Sequence, residues 1–192
     1  MKLRYLALAV SALAAPLALA ADEVFQVDGP HSRPQFEVRH LGMSTQHGSF
    51  MKSTTKVELD RAAKKGSVDW TVDATSIRTF DERLDAVVKG ERFFNVEKFP
   101  TITFKSTKVE FDGDKLVGID GDLTMLGVTK PVSFKVSDFK CGEGVGKKQM
   151  CAAEATSTIK RSEFGMTNNL AAQAPADEVK IIVPVEGYLQ QG

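Results

Sequence analysis

The residues of this chain with the most chemical capacity are three histidines and two cysteines set in an otherwise apolar pattern. His31, His40 and His47 could hold a metal ion, but they stand nine and seven residues apart. That spacing fits no familiar zinc arrangement, and no Asp, Glu or Cys joins them in register. We expect no metal, and read the histidines as structural groups or as polar contacts for a ligand. Cys141 and Cys151 enclose Gly142, Gly144 and Gly146. A glycine-rich turn without a neighbouring histidine suits a disulfide closing a short hairpin better than a two-thiolate metal cage. No serine stands in a Gly-x-Ser-x-Gly elbow. Nor does a Gly-rich loop open a helix to receive phosphate, and no acidic residue lies on an apolar face. The expectation is therefore a protein that is not an enzyme and needs no cofactor.

Strands must position these groups, because period-two alternation runs through the chain. Phe36, Val38 and His40 share one face, with Gln35, Glu37 and Arg39 on the other. The same pattern recurs at Val68-Trp70-Val72-Ala74, Ile102-Phe104, Val117 to Met125, Val132-Phe134-Val136 and Val179 to Val185. One apolar and one polar face in each run predicts half-buried antiparallel strands. Turn signals at Ala63–Gly66, Asp112–Asp114, Gly127–Pro131 and Gly142–Lys148 separate them closely, which favours hairpins and an all-β sandwich or barrel. Pro184 inside the last run predicts an edge or a bulge. One helix is expected from Asp81 to Lys89, with Thr79 and Glu82 forming a capping box and Gly90 ending it. Leu84, Val87 and Val88 fall on one face of that helix, and Phe93, Phe94, Val96 and Phe99 follow as an aromatic latch, so the segment reads as a plug or lid.

Residues 1–20 have the form of a cleaved secretory signal: Lys2 and Arg4, an apolar run from Leu6 to Leu19, then Ala18-Leu19-Ala20 before a cut ahead of Ala21. Residues 21–192 then form one domain. Of the 25 basic residues, Lys2 and Arg4 lie in the leader, so the remainder carries two more acidic than basic groups. With no basic stripe, nucleic acid is not expected as a partner. An exported chain also places Cys141 and Cys151 where a disulfide persists.

Four segments in order carry a resemblance. They are HSRPQFEVRHLGMSTQHGSF from His31, FFNVEKFPTITFKS from Phe93, GDLTMLGVTKPVSF from Gly121 and IKRSEFGM from Ile159. Together they resemble the YceI-like family, periplasmic lipid-binding proteins with a lipocalin-like fold. The resemblance implies an antiparallel eight-stranded β-barrel around an apolar tunnel. Its lining would be Phe36, Val38, Trp70, Val72, Ile102, Phe104, Gly121, Leu123, Phe134, Ala155, Ile159, Ile181 and Val183. From the residues alone, small positions among large ones (Ala74, Ser106, Gly121, Ala155, Ser157) fit either a filled, tapering core or a tunnel with room for a ligand, and the resemblance favours the tunnel. The implied cargo is a long-chain isoprenoid or fatty lipid, bound without catalysis for storage or transport in the periplasm. His31, His40 and Arg161 are expected to meet its head group, although Arg161 can equally fix a loop by pairing with a carboxylate at the barrel mouth. The family also implies a homodimer. A second reading is an interaction protein of respiratory or stress physiology, carrying a quinone-like isoprenoid to a transient inner-membrane partner, and an enzyme acting on that lipid is a third.

Overall fold

The computed structural model describes residues 23–190, so the expected signal lies outside the described residues. Eleven strands form one antiparallel sheet that closes on itself. They build eight walls because three walls are bent strands, each interrupted once. β1 (Glu23–Val27) continues as β2 (Gln35–His40), β3 (Ser44–Phe50) as β4 (Ser53–Asp60), and β5 (Lys65–Asp73) as β6 (Ile77–Arg78). The other five walls are β7 (Thr101–Asp112), β8 (Lys115–Met125), β9 (Val128–Glu143), β10 (Gln149–Lys160) and β11 (Glu178–Leu189). The result is the closed antiparallel eight-stranded barrel that the resemblance implies, and one of the two all-β forms that the alternation allows.

Two of the three interruptions have a local cause in the sequence. Between β1 and β2 stand Pro30 and Pro34, which donate no ladder hydrogen bond. Between β5 and β6 the Asp73 carboxylate accepts from the Thr75 backbone N–H at 2.9 Å and from its hydroxyl at 2.6 Å, folding the chain into a single tight turn. Pro184 sits inside β11, opposite Glu154. Contrary to the edge expected there, β11 is an interior wall. Its outer partner changes at this point, from β2 through Ile182 to β1 from Gly187, so the missing N–H falls between two ladders. Ser32 bridges the gap by accepting from the Glu186 N–H at 2.9 Å. The bulge lies close by in β9, where Asp138 and Phe139 together stand opposite Ala153 of β10. The turn expected over Gly127–Pro131 is also shorter: β9 resumes at Val128.

Beyond Asp73 and Thr101, β5 and β7 part, and α1 (Glu82–Lys89) with the Gly90–Pro100 loop fills the interval. The helix starts differently from the sequence reading. Asp81, not Thr79, is its cap, accepting from the N–H groups of Arg83 and Leu84 at 2.9 and 3.1 Å. Thr79 instead donates its backbone N–H and its hydroxyl to the Asp85 carboxylate, at 2.6 and 2.8 Å. Arg78 adds a contact of 3.2 Å to the same group. A capping carboxylate at the helix start outcompetes a hydroxyl two residues earlier, because it meets both free amides and the helix dipole at once.

At mid-barrel the rings of Phe104 and Phe134 meet edge to face with centroids 5.1 Å apart. Gly121 makes room for them, since a Cβ there would collide with the Lys105 carbonyl and lie 2.5 Å from Phe104 Cζ. At the far end Cys141 and Cys151 face each other in register across β9 and β10 and are joined by a disulfide, Cα atoms 4.0 Å apart.

Two measurements check this account. Gly121→Ala should destabilise the barrel by about 1–3 kcal/mol through overpacking, read as a lowered denaturation midpoint at unchanged m-value. Burial raises the Asp85 pKa, but the two Thr79 hydrogen bonds and Arg78 outweigh it and hold the carboxyl below its ordinary value. Its contribution is therefore present above the usual carboxylate range and lost as pH falls through the depressed value. Amide exchange in α1 should accelerate on acidification, and Asp85→Asn should exchange fast already at neutral pH.

Candidate functional site

The inward faces of the walls enclose a cavity of about 490 Å³ on the α1 side of the barrel. Its walls are Phe36 and Val38 from β2, Trp70 and Val72 from β5, Ile102 from β7, Leu123 and Met125 from β8, Ile159 from β10, and Val179 and Ile181 from β11. From α1 come Leu84, Val87 and Val88, with Phe93 and Phe94 from the loop behind it. Leu84 and Val87 are partly exposed, which places the helix at the rim. Phe94 anchors the lid loop against the wall: its ring meets Phe50 edge to face at 5.4 Å and Phe36 at 6.2 Å.

Eight of the thirteen residues expected to line a tunnel line this cavity: Phe36, Val38, Trp70, Val72, Ile102, Leu123, Ile159 and Ile181. Ala155 lines a separate apolar cavity of about 70 Å³ toward the disulfide end, beside Val68, Ile119, Val136, Cys151 and Val185. Phe104, Gly121, Phe134 and Val183 border neither space. The single tunnel is thus corrected to two chambers, because the Phe104 and Phe134 rings occupy the barrel's waist. Sequence reading missed Met125, Val179 and the lid residues as lining. The first two lie on the apolar face of alternating runs, and the lid residues follow the helical period, so the signal for each was present.

The three residues expected at the head-group end separate. His40 borders the mouth chamber, as does His47, whose Nδ1 lies 3.8 Å from Glu37. His31 does not. It is exposed on the turn between β1 and β2 and contacts Asp28 at 2.9 Å, and that hydrogen bond raises its pKa. Among the described residues no three metal-ligating side chains gather.

Arg161 borders the chamber but is 2% exposed. No carboxylate takes its guanidinium. Nε donates to the Ala176 carbonyl at 2.9 Å, Nη1 to Met166 at 2.7 Å, and Nη2 to Asn168 and Pro175, both at 2.7 Å. Four of its five N–H groups are therefore committed to the loop joining β10 to β11. Asp177 closes the same loop by accepting from the Ser162 N–H and hydroxyl, both at 2.9 Å. Burial holds the Arg161 pKa below its ordinary value, and Asp177 offsets only part of that. The charge is solvated by carbonyl dipoles in place of water, a solution available to a planar fork and not to an ammonium.

Replacement by lysine tests that role. Arg161→Lys should cost about 3–5 kcal/mol, since several buried carbonyls lose their donor while a charge stays buried. If Arg161 mainly served a ligand's head, the variant would instead keep its denaturation midpoint and lose affinity for charged ligands alone.

The sequence profile of the YceI-like domain matches residues 25–187. A UPF0312 protein of Ectopseudomonas mendocina is 35% identical over 94% of each chain. Protein YceI of Escherichia coli O157:H7 is also 35% identical, over 91% of this chain and 90% of its own. Among solved structures, Burkholderia cenocepacia BcnA superposes with a TM-score of 0.70 at 26% identity, covering 83% of this chain and 98% of its own. A polyisoprenoid binding domain from Saccharophagus degradans shares the fold at a TM-score of 0.61 and 12% identity, covering 86% and 98%. With the profile spanning nearly the whole barrel and relatives this similar over nearly their full length, the chain belongs to the YceI-like domain family.

Proposed function

We propose that the protein is a non-catalytic carrier that buries the chain of a long amphipathic lipid, a polyisoprenoid or similar, for storage or transport in the periplasm. The observation that carries this reading is the mouth chamber, a 490 Å³ space walled chiefly by aliphatic and aromatic side chains with an amphipathic helix at its rim. The description of the Saccharophagus degradans neighbour as a polyisoprenoid binding domain supports a chain-like ligand. Burial would supply roughly 0.8 kcal/mol for each methylene taken from water. Ordering a flexible chain offsets much of that gain, so affinity rises more slowly than the buried area implies.

Head-group contacts fall to the polar residues at the chamber's border. We assign them to His40 and His47, with Gln46, Arg92 and Asn169 as further donors. Arg161 has at most one N–H left for a ligand. A few such groups around an apolar cavity are what orientation of an amphiphile requires. A second reading, delivery of a quinone-like isoprenoid to an inner-membrane partner, is favoured by Phe80, which stands 93% exposed immediately before α1.

Solvent extraction of protein purified from the periplasm, followed by mass spectrometry, should recover an intact long-chain lipid. A quinone in that extract would select the second reading, and a chemically altered lipid would favour catalysis. Val179→Trp should fill the chamber from the β11 wall and weaken uptake of a fluorescent fatty probe at least about tenfold at an unchanged fold. An empty extract together with unaltered probe uptake by this variant would sink the carrier reading.

A further inference from the structure

Along β8, β10 and β11 the inward positions pass from one chamber to the other across a narrow band. On β8 Leu123 faces the mouth chamber and Ile119 the rear one, with Gly121 between them. On β11 Ile181 and Val185 face the two chambers, with Val183 between. On β10 Ile159 and Ala155 do so, and Ser157 holds the intermediate inward position. Ile102 on β7 faces the mouth and Val136 on β9 the rear, and beside them Phe104 and Phe134 complete the band. Glycine, serine and valine at the other band positions leave space that the two aromatic rings fill. Both rings are sequestered, at 3% and 5% exposure, and each steadies the other through their edge-to-face contact.

We propose that Phe104 and Phe134 form a stop that sets the length of lipid chain the barrel takes up. The proposal rests on the carrier reading and adds its selectivity. A chain entering beside α1 runs past Trp70 and Leu123 and ends against the rings. At roughly 30 Å³ for each chain carbon, about the share of a water molecule in the liquid, the 490 Å³ chamber holds roughly sixteen carbons. Carbons beyond that number stay outside the mouth and add little affinity. The rear chamber, at about 70 Å³, has space for two or three carbons once the waist is opened.

The test is competition among straight-chain fatty alcohols of about 10 to 26 carbons, with the bound fraction of each read by mass spectrometry. For the unaltered protein, affinity should climb by up to about fourfold with each methylene and then flatten near sixteen carbons. Phe104→Ala and Phe134→Ala should each move the break upward by about three to five carbons, from the volume of the lost ring and the joined rear chamber. Adding Ala155→Leu, which fills the rear chamber, should reverse part of the Phe104→Ala gain and leave the parent's profile unchanged. Thermal melts accompany each variant. Should the alanine forms not fold, Phe104→Leu and Phe134→Leu carry the same test with a smaller shift. Affinity rising unbroken through the series, or a break unmoved in folded variants at both rings, overturns the stop while leaving lipid binding intact. Failure of the parent protein to take up any alcohol would overturn the carrier reading itself.

Discussion

β11 is bonded to β10 from Lys160↔Glu178 to Met150↔Tyr188, and its other edge is divided between β2 and β1. Everything else in the molecule depends on that double satisfaction. A sheet with a free edge exposes unpaired backbone groups and cannot enclose an interior. With β11 bonded on both sides the alternation of apolar and polar residues becomes a distinction between inside and outside. The closure also explains why proline is tolerated at position 184, where one outer partner hands over to the next. Ser32, whose hydroxyl takes the Glu186 N–H, supplies the hydrogen bond that neither outer strand provides there.

The two ends of this closed wall are finished by different chemistry. At the disulfide end strands run into short turns and Cys141–Cys151 crosslinks adjacent walls. At the mouth, the walls give way to α1 and to the loop before β11, and each hangs on one buried ionised side chain. Asp85 gathers donors from Thr79 and Arg78, while Arg161 gathers four carbonyl acceptors. Irregular backbone bordering an apolar space needs such partners, since its polar groups cannot be left unbonded away from water. The apolar chamber and the two polar anchors are thus one arrangement, in which loops can edge a cavity without exposing backbone to it.

Much of this was legible in the sequence, and what escaped has a physical explanation. Period-two alternation reports which face of the sheet a residue occupies, so Phe36, Val72, Leu123 and Ile181 read as inward-facing, and each borders the mouth chamber. It carries no information on depth along the barrel axis. Phe104 and Phe134 were therefore indistinguishable from true lining residues, and the division into two chambers was hidden. The helix was located by its apolar spacing, but its cap was misassigned to Thr79 because competition between nearby oxygens is settled by geometry. His31 and Arg161 lie in matching segments yet point to different surroundings, one exposed beside Asp28 and one sealed among carbonyls. Membership of a motif identifies residues the fold needs without saying which atoms they meet.

The pairing of Phe25 with Leu189 joins strands from opposite ends of the described chain. Until β11 arrives, the preceding strands are an open sheet whose apolar face has no interior to enter. Contacts this distant in sequence make folding slow relative to local structures of the same size, and leave strand edges available for pairing with other chains in the meantime. Assembly is therefore vulnerable during the interval between synthesis of the first wall and capture of the last. A truncation that removes only the final strand would produce an aggregation-prone ribbon, not a barrel with a slightly weaker wall.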